Sequence, residues 1–130
     1  MTEYLFAYGT LRRGLSPDYL LPVVSRLVVV GEGFVAGVLY DLGEYPGAVL
    51  DAEAGTQVFG TVFVLPAEHE VLAALDGYEG FYPDSLESSL FVRELHPVEL
   101  MDGRRIECWM YVYNCGVGEL PALASGRYSK

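Results

Sequence analysis

Runs of β-branched and aromatic residues, nearly all cut by glycine or proline, fill this chain, and that pattern constrains its fold more than any other feature. Residues 3–8 alternate aromatic and aliphatic groups and stop at Gly9, as a strand does on entering a sharp turn. Similar runs cover residues 26–30, 33–41, 48–51 and 57–65, and two more, 90–100 and 106–114, are joined by the turn-forming pair Asp102-Gly103. Glycine supplies 15 of the 130 residues, many of them inside these runs, where they weaken a flat sheet but permit bulges and tight bends. The expectation is a mostly antiparallel sheet, strongly curved or closed into a small barrel. One segment breaks the pattern. Residues 67–76 follow Pro66, carry Glu68 and Glu70 where a helix dipole favours negative charge, gather Val71, Leu72 and Leu75 on one face, and are followed by Gly77 as the expected left-handed terminator. A shorter helix fits residues 18–24, with Ser16 or Asp18 as cap and Pro17 beside it. With no repeat or linker, the chain reads as one α+β domain over residues 1–130, its helices peripheral to the strands.

Charge narrows the partners. Eighteen acidic side chains face eight basic ones, for a net charge of −10, which disfavours nucleic acid and anionic membrane surfaces. Arg12-Arg13 and Arg104-Arg105 concentrate the scarce positive charge. The stretch from Leu20 to Tyr40 is broken by Pro22, Arg26 and Glu32, so it is not expected to span a membrane. The start, with Glu3 and a short apolar run, does not read as a secretory signal. Cys108 and Cys115 read as reduced thiols, and the expected location is cytoplasmic. His69 and His96 stand apart from other ligand types, so no metal site is expected.

Two segments carry possible chemistry. In Tyr8-Gly9-Thr10-Leu11-Arg12-Arg13-Gly14, consecutive backbone N–H groups after the first strand can form a nest for a carboxylate or oxyanion; the same residues also suit an ordinary turn with solvated arginines. The segment lacks the second glycine followed by Lys and Ser/Thr that a nucleotide phosphate loop requires. In Leu75-Asp76-Gly77-Tyr78-Glu79-Gly80-Phe81-Tyr82, aromatic neighbours around Glu79 would desolvate it and raise its pKa toward that of a general base; the plain alternative is one more surface carboxylate.

Taken together, YGTLRRG and LDGYEGF resemble the signature of the γ-glutamylcyclotransferase-like superfamily, most closely its AIG2-like and γ-glutamylamine cyclotransferase branch. GVLYDLGEYPGAVL from Gly37, VFGTVFVL from Val58 and the ending SGRYS from Ser125 are similar to the family's pieces, in the same order. The resemblance implies a small mixed β-barrel with peripheral helices. It also implies a reaction, in which the α-amine of a γ-glutamyl amine, amide or dipeptide attacks its own γ-carbonyl and releases 5-oxoproline, with no cofactor. It makes Glu79 the acid/base and Tyr8, Gly9, Thr10 and Leu11 the loop that binds the γ-glutamyl group through backbone groups. The family often has Tyr-x-Arg on the next strand, and here the stretch is Phe91-Val92-Arg93. Tyr111 and Tyr113 share a strand face and either can wall the pocket or form a cross-strand ladder; Tyr45, in the Tyr45-Pro46-Gly47 turn, is a further wall candidate. The competing function is a non-catalytic binding module for a small carboxylate metabolite. A monomer or a homodimer fits equally.

Overall fold

The structure, a computed structural model, describes residues 2–9, 21–43, 45–66 and 69–128. In chain order its elements are β1 (Glu3–Ala7), α1 (Leu21–Val24), β2 (Val28–Asp41), β3 (Pro46–Leu50), β4 (Gln57–Leu65), α2 (His69–Glu79), β5 (Phe91–Leu100) and β6 (Arg105–Tyr113), with one turn of 3-10 helix at Leu86–Ser88. The sheet runs β3-β2-β4-β1-β6-β5, and a further pairing of β2 with β5 closes five of its strands into a barrel, leaving β3 hydrogen-bonded to β2 outside the ring. Only β1 and β6 run parallel; the other pairings are antiparallel. The expected small, mixed, mostly antiparallel barrel with peripheral helices is thus the fold observed.

Most strand ends fall within two residues of the sequence reading, and two elements differ from it by more. The runs at residues 26–30 and 33–41 are one 14-residue strand, β2. A shift in register between Val29 and Gly31 interrupts its ladder with β4, and along its length the strand pairs with β4 over residues 28–36, with β5 at Gly33 and Phe34, and with β3 over residues 37–41. The longer helix does not stop before Gly77 but continues to Glu79, and its left-handed terminator is Gly80, at φ +69°. The Phe81 N–H bonds the Asp76 carbonyl at 2.9 Å and the Gly80 N–H bonds that of Gly77 at 3.3 Å, the paired closure of a Schellman motif. Gly77 came first in the sequence, but nothing around it requires a missing side chain. Of the short helix, residues 21–24 are helical and residues 18–20 lie outside the described part.

Alternation along the strands sorts the apolar residues into two cores. Phe6, Val58, Val62, Val98, Leu100, Cys108, Met110 and Val112 fill the barrel, joined by Tyr128 of the C-terminal segment. Leu5, Phe63, Leu65, Phe91 and Tyr111 face outward and pack against Val24, Leu27, Val71 and Leu75 beneath the helices. The C-terminal segment, unpatterned in sequence, is tied down by backbone bonds: Asp41 N–H to the Pro121 carbonyl, Leu123 N–H to that of Leu39 and Phe59 N–H to that of Gly126. No helix among the described residues is long and apolar enough to cross a membrane.

Candidate active site

The end of β1, the starts of β3 and β5, the last part of β6 and the C-terminal turn of α2 converge on one cavity of about 330 Å³. That is the size range of small-molecule sites. From β1 come Phe6, Ala7 and Tyr8, followed by Gly9. A side chain at Gly9 would sit 2.8 Å from the Pro46 ring, so glycine is required here for close approach to β3.

Tyr8 is buried, and its hydroxyl is committed to structure. It donates to the Tyr111 carbonyl and accepts the Ala48 N–H at 3.2 Å, linking β1, β6 and β3 at the cavity wall. Tyr45 lies in the turn closed by the Leu42 N–H to the Tyr45 carbonyl, 3.0 Å, and its ring stands 6.1 Å from that of Phe91. Gly80, Leu90 and the half-exposed Tyr82 complete the far side.

Glu79 is the last residue of α2 and the only acidic side chain among the described residues lining the cavity. The residue is partly buried and lines the cavity. Burial pushes its carboxyl up from 4.5 to about 8. The negative end of the helix dipole acts in the same direction. Its charge is felt by two phenols: burial raises the pKa of Tyr8 and the nearby Glu79 carboxylate adds to the rise, and the same carboxylate contributes, after burial and Asp76, at Tyr111. A carboxylic acid held near neutrality can take a proton and return it without a large penalty either way.

Of the residues singled out from sequence, Tyr8, Gly9, Tyr45 and Glu79 meet around this cavity. Thr10 and Leu11, with Arg12 and Arg13, lie outside the described residues. Tyr113 is not among the lining residues: it packs edge-on against Phe91 and covers Gly47, and Tyr111 takes the wall position. Asp76 and Arg93 were not foreseen as site residues. Arg93 donates to both carboxylate oxygens of Asp76, at 2.9 and 3.3 Å, and the Tyr111 hydroxyl donates to the same carboxylate at 2.6 Å. The available signal was spacing, since Asp76 stands one helical turn before Glu79. Among the described residues no cluster of three or more His, Cys, Asp or Glu is placed to hold a metal ion.

A family model described as gamma-glutamyl cyclotransferase, AIG2-like matches residues 5–130. No curated protein sequence matches the chain. Among solved structures, an AIG2-like protein from Mus musculus is similar at a TM-score of 0.77 and 22% identity, over 98% of this chain and 88% of that one. The solution structure of ytfP from Escherichia coli is similar at 0.64 and 27%, over 96% and 95%. YkqA from Bacillus subtilis is similar at 0.72 and 19% over 98% of this chain, which spans only 40% of that longer protein.

Proposed function

Because the chain belongs to the gamma-glutamyl cyclotransferase, AIG2-like family, we propose that it releases 5-oxoproline from a γ-glutamyl amine, amide or dipeptide, with Glu79 as acid/base. One observation carries this reading. The sole acidic group among the described lining residues sits in an aromatic cavity, with its carboxyl pushed up to about 8 by burial.

In the proposed reaction the substrate α-amine loses a proton to Glu79 and attacks its own γ-carbonyl. A C–N bond closes the five-membered ring, Glu79 returns the proton to the leaving nitrogen as the bond to it breaks, and the ring nitrogen sheds its second proton through Glu79 to the released amine. An α-amine has a pKa of about 8, close to that of Glu79, so the transfer between them is nearly balanced in free energy. Nucleophile and electrophile share one molecule, and a cavity that holds them in a ring-like pose exploits effective molarities on the order of 10⁵ M. Binding of the γ-glutamyl group is assigned to Gly9 and residues 10–11 through their backbone, with Tyr8 and Tyr45 as walls. The cyclic step needs no cofactor. The proposal extends to a cytoplasmic location, which the free thiols of Cys108 and Cys115 support.

The test is a panel of γ-glutamyl amines, amides and dipeptides assayed for 5-oxoproline. Turnover is expected for at least one compound and is expected to fall by about 10²- to 10⁴-fold in Glu79→Gln, the range of general acid–base contributions. Thermal stabilisation by 5-oxoproline with no turnover of any compound would instead favour a binding module.

A further inference from the structure

Arg93 holds the chain on both sides of Glu79 without reaching the cavity itself. Its guanidinium grips Asp76, three residues before Glu79, with two hydrogen bonds of 2.9 and 3.3 Å. It also lies 5.5 Å from the ring centroid of Phe81, two residues after Glu79, and 4.5 Å from that of Trp109 on β6. Asp76 is held a second time by the Tyr111 hydroxyl at 2.6 Å. The backbone closes the same loop, since the Phe81 N–H bonds the Asp76 carbonyl at 2.9 Å. The last turn of α2 is therefore fastened to β5 and β6 around the one residue between these anchors that lines the cavity with a carboxylate.

Stability alone gives a poor account of this arrangement. Both partners are largely buried, with side-chain exposures of 17% and 14%, and a well-packed apolar pair commonly serves a core as well as a buried ion pair does. What an apolar pair lacks is direction. A planar guanidinium that meets a carboxylate through two bonds and stacks on two rings fixes the rotation of the segment it holds.

We propose that Arg93, acting through Asp76 and Phe81, is a positioning residue that sets the orientation of the Glu79 carboxylate in the cavity. This rests on the acid/base reading of Glu79. A lysine at 93 would keep the charge but offer a point donor in place of a fork, so it would recover only part of the effect.

The test compares Arg93→Met, Arg93→Lys and the charge-free pair Asp76→Leu/Arg93→Met, which leaves no buried charge unpaired should Arg93→Met alone fail to fold. Amide hydrogen exchange is measured at residues 77–81 and in the barrel strands, and kcat and KM are measured on the γ-glutamyl compound that the unaltered protein turns over fastest. Exchange at residues 77–81 is expected to quicken by about tenfold or more relative to the strands, and kcat to drop by about 10- to 100-fold at nearly constant KM, with Arg93→Lys in between. Unchanged exchange at residues 77–81, or a kcat within about twofold of the unaltered protein while Glu79→Gln is inactive, would overturn the proposal. Turnover that survives Glu79→Gln, or no turnover at all, is instead a failure of the acid/base reading. It removes any role of Arg93 in catalysis, whereas exchange still decides whether Arg93 anchors the turn.

Discussion

Glu79 ties stability to pH in a direction opposite to that of most carboxylates. Its carboxyl is pushed up from 4.5 to about 8 in the folded chain, so between those values the native state holds a proton that the unfolded state has released. Stability from this group is fully present below pH 4.5, declines through the window, and is gone above about pH 8, with a limiting slope of about 1.4 kcal/mol per pH unit. Glutamine cannot titrate. Urea unfolding at a series of pH values is therefore expected to show Glu79→Gln gaining on the unaltered protein as pH rises from 4.5 to 8; parallel curves would mean that Glu79 is solvated after all. Residue type and motif were enough to single out Glu79, but not to choose between a carboxyl enclosed at a cavity and one on the open surface. That choice depended on β1, β3, β5 and β6 all reaching the helix end.

At the level of elements, the end of α2 decides where Glu79 points, and its two glycines play different parts. Gly80 is in the left-handed region, and a Cβ there would also come 3.3 Å from that of Leu90. Alanine at 80 is expected to lower stability by about 1–2 kcal/mol, the cost of a left-handed conformation for a residue with a Cβ. Gly77 lies inside the helix with open space around its Cα, and alanine there is expected to raise stability by about 0.5–1 kcal/mol. Opposite shifts of the urea midpoint are the readout; a loss for Gly77→Ala with none for Gly80→Ala would return the helix end to Gly77. The helix was legible in sequence because its apolar face repeats at the helical period. Its end was not, because either glycine satisfies a terminator and only the closure onto Phe81 and Leu90 selects the later one.

Across the whole molecule, a net charge of −10 surrounds a site proposed to take a carboxylate-bearing substrate. A γ-glutamyl amine is a zwitterion with no net charge, whereas a γ-glutamyl dipeptide carries one further carboxylate. Raising ionic strength from about 10 to 150 mM shortens the reach of the surface field to about 8 Å, and is expected to lower KM for dipeptides by about two- to fivefold while leaving that for amines nearly unchanged. Equal salt dependence for both classes would show that the global charge does not reach the site. The sequence by itself determined the strand-rich, strongly bent character of this protein, its principal helix and the candidate loop and carboxylate, because each is written in local periodicity, turn chemistry or a short motif. Only the tertiary structure decided that β2 closes the barrel against β5, that Tyr111 rather than Tyr113 walls the cavity, that Tyr128 fills the interior, and that Arg93 and Asp76 bracket Glu79. These rest on contacts between residues far apart in the chain, where register and burial are set by the packing of several elements at once and leave no periodic trace in any one of them.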